Sequence, residues 1–83
     1  MIFSFLSKET EAIWRGYFAK SLPPDIQNVA RRKLRMLNSA RRLDDLRIVQ
    51  GERKGRHSIV VNGQVRLCFV WSGRGAKDVE IGE

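Results

Sequence analysis

One cysteine, one histidine and two adjacent prolines in 83 residues leave little material for several common chemistries. A lone Cys68 cannot close an internal disulfide, so no disulfide framework supports the fold, and a reducing compartment is expected. Its place in the apolar run Leu67-Cys68-Phe69-Val70-Trp71 predicts a buried, inert thiol. One histidine and one cysteine are too few for a zinc cluster. No glycine-rich loop ends in Lys followed by Ser or Thr, and no Ser, His and Asp stand in a recognisable hydrolase context. Neither a metal nor a cofactor is therefore expected. No apolar run approaches the ~20 residues that cross a bilayer, and Met1-Ile2-Phe3-Ser4-Phe5-Leu6 has neither the basic lead nor the length of a secretion signal. The expectation is a cytoplasmic protein with no membrane partner. At this length a second domain is excluded too, and residues 1–83 read as a single domain.

Acidic residues are the other shortage. Nine Asp and Glu stand against sixteen Lys and Arg, a formal net charge of +7. So strong a field on so small a surface attracts polyanions. A basic membrane-binding helix would expose apolar residues to lipid, whereas here those of the basic helix are committed to a core. Nucleic acid is the favoured partner class. With 42% hydrophobic residues the chain can also build one modest core.

Along the chain, Ile2–Leu6 reads as a short strand. Ser7 then caps a helix with Glu9 and Glu11 in its first turn and Ile13, Trp14, Tyr17 and Phe18 on one side. Gly16 weakens that helix, and Leu22-Pro23-Pro24-Asp25 ends it and starts another, since proline fits only a first turn. In the second helix Ile26, Val29, Ala30, Leu34 and Leu37 form an apolar stripe, with Arg31, Arg32, Lys33 and Arg35 opposite. Asn38-Ser39-Ala40 closes it. Strand patterns follow at residues 46–50, 58–61, 64–71 and 77–81.

Asn62-Gly63 is the favoured pair for a two-residue type I′ hairpin turn. Centred there, the turn pairs Val61 with Gln64, Ile59 with Arg66 and His57 with Cys68, and puts these side chains on one face. Val60, Val65, Leu67, Phe69 and Trp71 form the other, more apolar face, expected beneath the helices. Arg66 and His57 are then expected together on the open face, because a mid-strand arginine is costly to bury. A solvated sheet surface is the plain reading of that pair. The sharper reading is metal-free RNA cleavage, in which the ribose 2′-hydroxyl is the nucleophile and the protein positions it, neutralises phosphate and moves protons.

Four stretches resemble the HigB toxins in order and spacing. They are Met1-Ile2-Phe3-Ser4-Phe5, Leu22-Pro23-Pro24-Asp25-Ile26-Gln27 followed by Arg32-Lys33-Leu34-Arg35-Met36-Leu37-Asn38, Gly51-Glu52-Arg53-Lys54-Gly55-Arg56-His57-Ser58-Ile59, and Asn62-Gly63-Gln64-Val65-Arg66-Leu67-Cys68-Phe69. Asp78-Val79-Glu80-Ile81 resembles the family's last strand. The resemblance implies a RelE-like α+β fold, with two N-terminal helices packed on a curved antiparallel β-sheet. It implies a toxin of a type II toxin–antitoxin system that cuts mRNA on the ribosome. The implied partners are a HigA-type antitoxin with a helix-turn-helix domain, and operator DNA only through that antitoxin. By position Arg66 matches the arginine that contacts the scissile phosphate. His57 is expected to stack or move protons, and Glu83 to fill an acidic catalytic position. Arg47, Arg53, Lys54 and Arg56 are expected to hold RNA.

The chain departs from the family pattern at Gln50, where a basic residue is frequent, and at Arg47, where His or another polar residue is. Family members usually finish with an acidic residue, Tyr and His, whereas this sequence reads Gly82-Glu83. Two alternatives therefore stand beside the nuclease: a toxin that binds RNA, ribosome and antitoxin without cutting, and a ParE-like gyrase inhibitor.

Overall fold

The computed structural model describes residues 1–20, 22–46, 50–51 and 55–82. The Ser7 hydroxyl accepts a hydrogen bond from the Thr10 N–H at 3.1 Å and so begins helix α1, Lys8–Trp14. The helix is shorter than its apolar pattern predicts. Gly16, with φ of +93°, donates to the Ile13 carbonyl while Tyr17 donates to that of Ala12, a Schellman ending that needs a residue free to adopt positive φ. Tyr17 and Phe18 consequently lie beyond the helix and face solvent.

Helix α2, Pro24–Ser39, starts on its proline. It buries Ala30, Leu34 and Leu37 as expected, with Ile26 and Val29 half-buried beside them, but Gln27 as well. Positions 27, 30, 34 and 37 form one stripe with a helical period, so this glutamine points inward. Its carboxamide is fully used: Oε1 accepts from the Ala19 N–H at 2.8 Å, and Nε2 donates to the carbonyls of Ala19 and Leu22, each at 2.6 Å. One side chain thus satisfies the backbone of the connection between the helices. Arg31 is not a free surface charge either, since its Nε donates to the Ile13 carbonyl at the end of α1, 3.0 Å away. A short 3-10 turn, Leu43–Asp45, follows α2, its Asp45 carboxylate accepting from the Arg41 and Arg42 N–H groups.

The sheet is an antiparallel meander in the order β1 (Gln50–Gly51), β2 (Arg56–Asn62), β3 (Val65–Ser72), β4 (Gly75–Gly82). The expected N-terminal strand is reduced to two parallel bridges against β4, Ile2 to Ala76 and Phe5 to Val79. These bridges still line the β4 edge with four backbone hydrogen bonds. Gly75 permits the approach, because a Cβ there would collide with the Met1 carbonyl. Both helices lie on one face of the sheet, where Ile13, Leu34 and Leu37 meet Ile59, Leu67, Phe69 and Val79 with essentially no exposure. Thr10, also buried, ties α1 to β4 by accepting from the Ile81 N–H at 2.9 Å.

The β2–β3 register differs from the sequence expectation by one residue. The turn is centred on Gly63 and Gln64, with Asn62 opposite Val65. Only Gly63 has positive φ, +42°, the pattern of type II′ rather than I′. A bulge between Val60 and Asn62 then sets Val60 opposite Arg66, Ile59 opposite Leu67, Ser58 opposite Cys68 and His57 opposite Phe69. The expected pairs Ile59 with Arg66 and His57 with Cys68 are thereby corrected. A one-residue slip turns every side chain of a strand over. Ile59 and Val61 both go into the core, and Val60 comes out, 37% exposed.

Gln27→Leu is expected to lower stability by about 1–3 kcal/mol in urea unfolding, because the buried Ala19 N–H and the part-buried Leu22 carbonyl lose their side-chain partner and the Ala19 carbonyl keeps only the 3.4 Å bond from the Leu22 N–H. An unchanged or higher midpoint would show that the connection is satisfied by other means.

Candidate nucleic-acid interface

The face of the sheet turned away from the helices is assembled by strand alternation. From β2 it receives Arg56, Ser58 and Val60, from β3 Arg66, Cys68 and Val70, and from β4 Lys77 and Glu80, as the cross-strand pairs require. Arg66 and Lys77 are exposed. The paired positions contribute three cations and one carboxylate, an excess of positive charge, with Asp78 at the β4 irregularity beside them.

Arg56 and Glu80 are joined by an ion pair at 3.3 Å. Arg56 is paired with Val70 and Glu80 with Cys68, so the bridge reaches over the whole of β3. Both groups are partly exposed, at 28% and 39%, and a pair so placed contributes at most about 1 kcal/mol to stability. Its larger effect is to hold a guanidinium above the middle strand on the face that carries Arg66. Cys68, expected to be buried, is instead half-buried on this same face, because the core side of β3 is taken by Leu67 and Phe69.

His57 is on the opposite side. It shares the core-facing surface with Phe69, whose ring centre is 5.8 Å from the imidazole, and its Nδ1 is inaccessible with no hydrogen-bond partner among the described residues. The expectation of His57 and Arg66 together on the open face is therefore corrected by the bulge in β2. What the bulge brings to Arg66's face in exchange is Arg56. The Ser58 hydroxyl is likewise buried and unpartnered among the described residues. Arg47, Arg53, Lys54 and Glu83 lie outside the described residues. Among the described residues no three potential metal-ligating side chains converge, and no helix is long and apolar enough to cross a membrane.

Arginine stays charged at any physiological pH and presents several donors to phosphate oxygens, so this arrangement can bind a polyanion and stabilise charge that develops on phosphorus. Proton transfer requires other groups, and Glu80 is the carboxylate that the pairing places on this face.

Comparison with known proteins gives a consistent picture. The family model of HigB-like toxins, described as RelE-like toxins of type II toxin–antitoxin systems, matches residues 4–81. A curated relative named Toxin HigB-1, from Vibrio cholerae serotype O1, is 43% identical over 58 residues, covering 60% of this chain and 61% of the relative. The aligned part of the chain thus spans about three fifths of the length of that relative.

Binding of a single-stranded oligonucleotide should weaken with salt, and Arg66→Gln should reduce the slope of log affinity against log salt by roughly 0.7 for each phosphate that the arginine neutralises. Glu80→Gln, which removes the carboxylate that faces Arg56, should raise affinity. Fluorescence anisotropy at several salt concentrations measures both. A slope unaltered by Arg66→Gln would show that polyanions bind elsewhere on the chain.

Proposed function

The chain belongs to the RelE-like HigB toxins of type II toxin–antitoxin systems, and from that premise we propose that it inhibits translation by cutting mRNA on the ribosome. The observation that carries this reading is the exposed Arg66 on the open face of a central strand, with Arg56 and Lys77 on the same face. In the proposed reaction a ribose 2′-hydroxyl attacks the adjacent phosphorus, the bond to the departing 5′-oxygen breaks, and a cyclic phosphate is left. Arg66 stabilises the extra negative charge on the phosphoryl oxygens as the attack proceeds. Arg56, oriented by Glu80, and the sequence neighbours Arg53 and Lys54 hold the flanking phosphates. Glu80 accepts the 2′-hydroxyl proton in this reading, since His57 faces the core, and the departing 5′-oxygen takes a proton from solvent water and leaves as a hydroxyl. The partner is an antitoxin of the HigA type, which carries the helix-turn-helix and through which operator DNA is reached. The setting is the cytoplasm.

A second reading, occupation of the ribosome or its message without cutting, is favoured by one observation: the chain's single histidine shares its side of the sheet with Phe69 and not with Arg66. Mapping of 5′ ends on a translated message by primer extension separates the two. Codon-associated new ends, reduced about 10²–10³-fold by Arg66→Ala, are expected from the nuclease. Arrested ribosomes without new ends would replace it by the binder. Cutting undiminished in Arg66→Ala would remove the arginine from the site.

A further inference from the structure

At the corner of the molecule where α2 ends, the N-terminal segment and the β3–β4 turn enclose an open groove of about 770 Å³. Its floor is apolar, with Met1 and Phe3 left 58% and 52% exposed, and its rim carries Arg41 and Arg74. None of the described lining residues is acidic. The walls are held in place from both sides. The Asn38 side chain at the end of α2 accepts from the Ile2 N–H at 3.0 Å, and Ala76 exchanges backbone hydrogen bonds with Met1 and Phe3. Gly75 lets the Phe3 ring lie directly on the turn, since a Cβ there would stand 2.9 Å from Phe3 Cε2. The groove is thus formed by the native fold.

We propose that this groove seats the antitoxin, through a segment that offers one large apolar side chain flanked by acidic residues. The inference rests on the toxin reading above and names the surface for its partner. A volume of this order accommodates a few side chains, and two large apolar groups half in water gain most from an apolar anchor. The two guanidinium groups on the rim call for carboxylates, and the chain's excess of positive charge steers an acidic partner toward it. RNA is the poorer fit. The apolar floor of Met1 and Phe3 has nothing to offer a backbone of phosphates. The groove is also remote from Arg66. Arg66 lies near the start of β3 and the β3–β4 turn follows its end, a separation of about 20 Å along the strand. Antitoxin and RNA can therefore be held by different surfaces of one molecule.

Two variants test this by calorimetric titration with the purified antitoxin encoded with this chain. Arg41→Glu with Arg74→Glu reverses the rim charge at exposed positions, and Ser39→Trp fills the groove without changing charge. The double reversal should weaken antitoxin binding on the order of 100-fold and Ser39→Trp at least tenfold. Both should keep the wild-type thermal unfolding midpoint, and Ser39→Trp the wild-type affinity for a single-stranded RNA. Antitoxin affinity within threefold of wild type in both folded variants would overturn the proposal. So would loss of RNA affinity in Ser39→Trp with antitoxin affinity intact, which would make the groove a nucleic-acid surface. A wild-type chain that binds RNA through Arg66 but no antitoxin would remove the toxin–antitoxin reading itself, distinguishing that failure from a misplaced docking surface.

Discussion

One extra residue in β2 decides which side chains share a surface with Arg66. The bulge at the end of β2 allows Ile59 and Val61, residues of one parity, both to be buried while the turn shifts to Gly63-Gln64. Burying a Val or Ile side chain gains about 1.5–3 kcal/mol. Pairing β2 one residue differently would send Ile59 to the open side, against Arg66, and bring Val60 in for it. The apolar exchange would be poor, and the Arg56 guanidinium would be driven toward the core, a much larger cost. Register here is set by burial, and the open cationic face is its consequence.

That face is then shaped by two further restraints. Thr10 fastens α1 to β4 at Ile81, immediately beside Glu80, and Glu80 reaches over β3 to Arg56. The helical layer and the charged surface therefore meet at one strand. At the far end of the sheet the N-terminal segment covers the β4 edge and builds the groove against α2. Covering an edge strand blunts unwanted pairing, and in this chain it also produces a surface of different chemistry from the open face.

The sequence pattern is legible wherever period alone suffices. The faces of β3 follow from alternation, and Arg66 emerges exposed with Leu67 and Phe69 inside, as expected. The α2 stripe and the Ser7 cap are equally plain. The faces of β2 come out inverted from sequence, because Asn62-Gly63 is a strong turn signal and nothing in a string of letters announces a bulge. His57 falls on the wrong side for that reason alone. Gln27 escapes notice because a polar residue carries no hydrophobic signal, although its place in the stripe with Ala30, Leu34 and Leu37 is visible in the spacing. Tyr17 and Phe18 are drawn into α1 by their aromatic character, when Gly16 ends the helix before them. The expected contributions of Arg47, Arg53, Lys54 and Glu83 lie outside the described residues.

On the proposed function, RNA meets the face bearing Arg56, Val60, Arg66 and Val70, with His57 and Ile59 turned away from it. Titrating RNA into methyl-labelled protein and following the methyl resonances tests this directly. The methyls of Val60 and Val70 should shift on binding, while those of Ile59 and Leu67 stay in place. Shifts confined to Ile59 and Leu67, with Val60 and Val70 unmoved, would contradict both the register and the surface assigned to RNA.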